Sequence, residues 1–199
     1  MIARFAGFFV ASVFGLAFVL INSGPPLPPS VTAVVRALAV GAAIAVVVLA
    51  LLCVRKESRA AVGSGGGPGA QRFGVLFGVV TTIEVLLIIG GAQTISRLEN
   101  VPDQAGVAWV TLVVGLHFFP LAWYWKQPEI LSVAWYGAVL GGIGLLMVAL
   151  GHPEWVPLVS GVVTGVGFLL APLVVLVLML RGTGAPAVSS QAGSSPSPK

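Results

Sequence analysis

Six long apolar runs, at about 5–22, 31–54, 73–96, 105–125, 130–150 and 156–180, constrain this chain more than any other feature. A helix needs roughly 20 apolar residues to cross about 30 Å of hydrocarbon, and each run is of that order. Inside lipid the backbone must satisfy its own hydrogen bonds, which leaves helices or a closed barrel. Barrel strands alternate apolar and polar residues. The stretch Ala42-Ala43-Ile44-Ala45-Val46-Val47-Val48-Leu49 shows no alternation, so helices are expected. The expected fold class is an all-α, polytopic membrane bundle of six transmembrane helices spanning residues 1–181.

Composition agrees with this reading. Of 199 residues, 57% are hydrophobic and 8% charged, and the mean hydropathy is +1.05. Soluble domains carry roughly 25% charged residues, so an ordinary cytosolic enzyme, a disordered chain and a nucleic-acid binder are excluded as classes. The single cysteine, Cys53, excludes a disulfide framework and a cysteine-rich metal site. A buried, inert thiol is its expected state, with palmitoylation the alternative. The first apolar run exceeds the roughly 7–15 residues of a signal-peptide core. It also ends Val19-Leu20-Ile21-Asn22 rather than in a small-x-small cleavage site, so an uncleaved span is expected.

The basic residues report topology. With six alternating spans, Arg4, Arg55, Lys56, Arg59, Arg72, Lys126, Arg181 and Lys199 fall on one side, and only Arg36 and Arg97 on the other. The positive-inside rule then places both termini in the cytoplasm. Glu99, Asp103 and Glu154 fall on the outer side. Trp123, Tyr124 and Trp125 at the inner boundary and Trp155 at the outer one suit the headgroup zone, where amphipathic rings settle. Arg36, Arg72 and Arg181 lie near span ends and are expected to snorkel. The expected location is the cell (inner) membrane. The expected partners are the lipid bilayer and, in addition, a second copy or a membrane-complex partner, with no nucleic acid.

Between the spans, residues 63–70 form a Gly/Ser-rich segment expected to be a flexible cytoplasmic linker. No Gly-Lys-Ser/Thr follows it, so it is not a phosphate loop. The outer Gly24-Pro25-Pro26-Leu27-Pro28-Pro29 segment is expected to be short and stiff, and residues 182–199 a disordered cytoplasmic tail. No internal repeat is evident, which disfavours an inverted-repeat transporter. Gly137 with Gly141, and Gly161 with Gly165, stand four residues apart. In lipid such small residues let helix backbones approach closely. Packing within the chain is the first expectation, and a homodimer face the alternative.

The chemistry is concentrated in two residues. Glu84 in the third span and His117 in the fourth are the ionisable side chains placed deep in the membrane. Such groups are costly in lipid, usually face the bundle interior and find a partner. Glu84 lies twelve residues from Arg72 and His117 nine from Lys126, or about 18 Å and 14 Å at 1.5 Å per residue. Antiparallel neighbours would bring them within about one turn in height. Thr81 and Thr82 lie one turn below Glu84. Pro120 releases the carbonyl of Leu116, and Pro172 that of Phe168. A small polar pocket between the third, fourth and sixth spans is therefore the site expectation. Glu84, His117 and Thr81 are its ligand- or proton-binding candidates, and structural glue is the competing reading.

Other chemistry is not expected. There is no His-Glu-x-x-His and no Gly-x-Ser-x-Gly. A carboxylate dyad would need a second intramembrane acid. His152 falls in an outer loop, about 30 Å from His117 by helix rise, which argues against a bis-histidine haem. No catalytic residue, metal or cofactor is expected.

The segment Val114-Gly115-Leu116-His117-Phe118-Phe119-Pro120-Leu121-Ala122, with Glu84 in the preceding helix, resembles a motif of small bacterial multi-pass integral membrane proteins of unknown function. The resemblance covers helices three to five. It implies a bacterial inner-membrane protein without an established activity, and it makes Glu84 and His117 the residues to test. Two functional classes follow: a small transporter or proton-linked carrier using that pair, or a non-catalytic subunit or scaffold of a larger membrane complex.

Overall fold

The structure is a computed structural model that describes residues 2–61, 75–125 and 128–182. Six α-helices run in chain order: α1 (Ile2–Asn22), α2 (Pro29–Ala61), α3 (Val75–Ser96), α4 (Ala105–Trp125), α5 (Pro128–Ala149) and α6 (Thr164–Arg181). Among the described residues there is no strand. Five segments are long and apolar enough to cross a membrane, and α1 adds a shorter apolar stretch, Gly7–Asn22. The chain is an all-α, multi-pass membrane bundle.

Three boundaries correct the sequence expectations. The second span was expected to end near residue 54, yet α2 continues to Ala61. The residues beyond the apolar run include Arg, Lys, Glu and Ala, all strong helix formers. Leaving the hydrocarbon therefore gives this helix no reason to stop. The sixth span was expected as one helix from Val156. Instead a 3₁₀ turn (Pro153–Trp155) leads into a π-helical segment (Pro157–Val163) before α6 begins. Pro157 has no N–H and its ring crowds the preceding turn, so the α-helical ladder cannot run through it unchanged. Gly182, assigned by sequence to the tail, closes α6 in a left-handed conformation (φ 75°). The expected linker at 63–70 and the tail from 183 onward lie outside the described residues.

The end of α5 shows why a glycine stands at one loop. Gly151 has φ 82°, a conformation glycine adopts without steric cost. The Gly151 N–H donates to Val148 O (3.1 Å) and the His152 N–H to Met147 O (2.9 Å). This paired closure satisfies two orphan carbonyls and ends the helix.

Helix packing follows small residues. The α4–α5 pair is the most intimate, because Gly115 faces the backbone of Gly137 and Ala138, and Gly141 faces Leu112. A Cβ at Gly115 would lie 2.8 Å from the Ala138 Cα. The α1–α6 crossing repeats the device: a Cβ at Gly15 would lie 2.8 Å from Gly165 O, and one at Gly165 2.6 Å from Gly15 O. The glycine pairs picked out by their spacing thus serve packing within the chain. Gly144 accommodates Ser160, and Gly161 accommodates Asn22.

α6 runs antiparallel to α1 and parallel to α2. Val46, Ala50, Cys53 and Leu176 form one core cluster, with Phe8, Phe9 and Leu180 packed against it. Val19, Ala39 and Leu169 form a second. The start of α1 and the ends of α2 and α6 therefore share one face of the bundle. Cys53 is a buried free thiol, and its Sγ is 3.8 Å from Leu176 O. Arg36, expected to snorkel, instead donates from Nε to Ser23 Oγ (2.9 Å) and from its terminal nitrogen to Ser23 O (2.9 Å). Ser23 is fully buried, and its hydroxyl and carbonyl offer the guanidinium two acceptors at once.

Gly115→Leu should lower the unfolding stability of the detergent-solubilised protein by about 1–3 kcal/mol, the usual cost of overpacking. Gly142→Leu, at a position where a Cβ meets nothing within 4 Å, should leave stability within about 0.5 kcal/mol. Equal effects in a denaturant titration would show that the α4–α5 crossing does not depend on glycine.

Candidate functional site

α3 rests on α4, and among the described residues it has no other extensive helix contact. None of its most apolar window is buried. Three features hold the seam. Gly91 leaves the space that the Trp109 indole occupies, and the Trp109 Nε1–H donates to Leu87 O (2.9 Å). Eight residues beyond Trp109 on α4 and seven before Gly91 on α3, about two turns on each, His117 meets Glu84. The antiparallel run of both contacts follows from the short connection between the helices.

His117 Nδ1 lies 3.1 Å from Glu84 Oε2, and the two side chains are only 8% and 11% exposed. The separation is that of a close ion pair. The Nδ1 atom nevertheless has no aligned hydrogen bond, because the carboxylate oxygen sits off the line of the ring N–H. One turn before Glu84 on the same helix face, the Thr81 hydroxyl is buried and has no hydrogen-bond partner among the described residues. Its neighbour Thr82 spends its hydroxyl on Gly78 O (2.8 Å). Glu84, His117 and Thr81 therefore share the α3–α4 interface.

The sixth helix enters differently from the sequence expectation. It contributes an aromatic wall. The Phe118 ring meets His117 edge-on, with centroids 5.3 Å apart, and Phe168 of α6 at 6.2 Å. Phe168 in turn meets Phe18 of α1 at 6.3 Å. These edge-to-face contacts carry apolar bulk from the middle of the bundle to the imidazole. Pro120 and Pro172 lie inside α4 and α6, which continue through them. His152 is elsewhere, exposed in the loop after α5, 3.6 Å from Glu154.

A second polar cluster escaped the sequence reading. Thr111 Oγ1 lies 2.7 Å from Ser160 O and 2.9 Å from Val107 O, and its single hydrogen serves one of them at a time. The Ser160 hydroxyl donates to Leu140 O (2.9 Å), and the Tyr136 hydroxyl to Val163 O (2.6 Å). Two of these acceptors, Ser160 O and Val163 O, belong to the π-helical segment. The cluster stitches α4 and α5 to a segment whose ladder is out of α-helical register. Pro157 marks where the segment begins, but nothing in the sequence singles out Ser160 O and Val163 O as acceptors.

The site can hold a proton. A carboxylate with an imidazolium and a carboxylic acid with an imidazole are both neutral as pairs, so the proton can sit on either group without adding net charge to the bilayer interior. Among the described residues no group of three or more His, Cys, Asp or Glu could hold a metal ion. Compared with known protein families, curated proteins and solved structures, the chain gives no significant match.

Replacing one member of the pair strands the other. His117→Leu should destabilise the protein by about 1–2 kcal/mol. Glu84→Leu/His117→Leu should recover most of that loss, because an apolar pair of similar volume leaves no buried charge. A double-mutant cycle read by denaturant unfolding in detergent checks this, and strict additivity would show that the two side chains do not interact.

Proposed function

We propose that this multi-pass membrane protein is a small proton-linked carrier of a bacterial inner membrane, with both termini cytoplasmic. In this reading the Glu84–His117 pair takes up and releases a proton midway through the bilayer. The 3.1 Å contact between two nearly buried ionisable side chains carries the reading. Ionisable residues at this depth are costly, so a functional role is their default interpretation. The unpartnered Thr81 hydroxyl supports it, since a donor beside the carboxylate can follow a change in its protonation. The loose seating of α3 supports it too. A helix held on one side only can shift with the charge state of that contact. The resemblance of the His117 segment to small bacterial membrane proteins is the basis for the proposed membrane.

The exposure of α3 also favours a second reading, a non-catalytic subunit whose open helix is covered in a larger complex. Reconstitution separates the two. Vesicles carrying the native chain should dissipate an imposed pH gradient, alone or with a co-transported solute. Glu84→Gln should reduce that flux to the level of empty vesicles. Flux unchanged by the substitution would overturn the carrier reading. Absence of any flux, with one stoichiometric partner co-purifying from native membranes, would favour the subunit.

A further inference from the structure

On the face of the bundle where α2 and α6 end together, Leu52, Arg55, Lys56 and Leu180 line an open cleft of about 390 Å³. Two lining residues are cationic and two are aliphatic. The cations stand on ordered helix, because α2 runs seven residues past the apolar run expected from sequence, through Arg55 and Lys56 to Ala61.

Each cation is placed to receive an anion. Lys56 Nζ donates to Leu180 O (3.0 Å), near the end of α6. This bond covers one of the orphan carbonyls whose partial negative charge would otherwise repel an anion at a helix C-terminus. It uses one of three ammonium hydrogens and leaves two. Neither Arg55 nor Lys56 pairs with the carboxylate of a described residue, the ion pairs there being His117–Glu84 and His152–Glu154. Arg55 keeps its planar fork of donors, which matches two oxygens of a phosphate. Arg181 follows Leu180 in the last turn of α6.

The apolar surroundings name the source of the phosphate. Leu52 and Leu180 line the cleft beside the cations, and Leu52, exposed one turn before Lys56, lies on their hydrocarbon side. A ligand seated here meets positive charge at one end and aliphatic surface at the other. Basic pockets between helices at a membrane boundary suit anionic lipid headgroups. We propose that the α2–α6 cleft binds the phosphate headgroup of an anionic phospholipid, whose acyl chains leave the cleft along Leu52. The proposal stands apart from the Glu84–His117 pair, which lies on α3 and α4.

The test uses the full chain in non-ionic detergent, titrated separately with phosphatidylglycerol, phosphatidylcholine and inorganic phosphate. Phosphatidylglycerol should bind saturably, and phosphatidylcholine should not compete with it. Inorganic phosphate should compete only at far higher concentration. Arg55→Ala/Lys56→Ala should weaken phosphatidylglycerol binding roughly 25-fold, about fivefold for each cation. Arg55→Lys/Lys56→Arg should retain it within a few fold. Leu52→Trp, which fills the cleft while keeping both cations and so the charge pattern that sets topology, should also weaken it. Equal binding of the two lipids would overturn the proposal. So would native affinity in both the double alanine variant and Leu52→Trp. Competition by inorganic phosphate as strong as by the lipid would overturn the lipid as the source.

Discussion

Close backbone approach at glycine is the interaction on which this structure rests. In lipid, helices gain no hydrophobic advantage from meeting each other, because the surrounding tails are as apolar as their side chains. What remains is dispersion, which falls steeply with separation. Gly115 against Gly137 and Ala138 brings α4 and α5 together, and Gly15 against Gly165 does the same for α1 and α6. These two crossings hold the four helices against which the rest is arranged. They also explain why so much of the apolar surface, including Leu38, Ile44 and Val174, faces outward. In a water-soluble protein that exposure would promote aggregation; in a bilayer it is the solvated surface.

The polar contacts divide by what they do for the backbone. Thr111, Ser160 and Tyr136 reach carbonyls of the π-helical segment and of α5. Polar side chains left without a partner are expensive in a medium without water, and these hydroxyls find theirs on the backbone of a neighbouring segment. The Glu84–His117 contact differs in kind. It joins two ionisable groups across the α3–α4 seam, and the imidazole also meets the backbone of Val80. A structural tie for this seam is already present. Trp109 supplies such a tie on the same seam, with its indole filling the space left by Gly91.

Much of the site was legible in the sequence. Glu84 and His117 were identified because charge is rare in apolar runs, and their similar height followed from helix rise and alternating direction alone. Thr81 was reachable by the three-residue spacing that places side chains on one face. Trp109 was not legible as a seam residue, because its role depends on facing Gly91, and facing is a property of two helices rather than one. The part of α6 was misread for a related reason. Pro172 suggested a freed carbonyl at the pocket, whereas the contact that forms is aromatic, from Phe168 to Phe118. Pro157 carried the information that the last span would not begin as a simple α-helix, but only the folded chain shows that Thr111 and Tyr136 reach the carbonyls of Ser160 and Val163.

By itself the sequence determined the solvent, the helical class, the approximate spans and the side preference of the basic residues. Each of these depends on composition along a single segment, and hydrogen bonding within one helix is local. The tertiary structure alone decided which helices touch. It seated α6 between α1 and α2, left α3 leaning on α4, turned Glu84 toward His117, and opened the cleft at Arg55 and Lys56. The physical reason is that helix association in lipid turns on which small residues on two separate segments come face to face. That matching has no periodic signature along either segment alone.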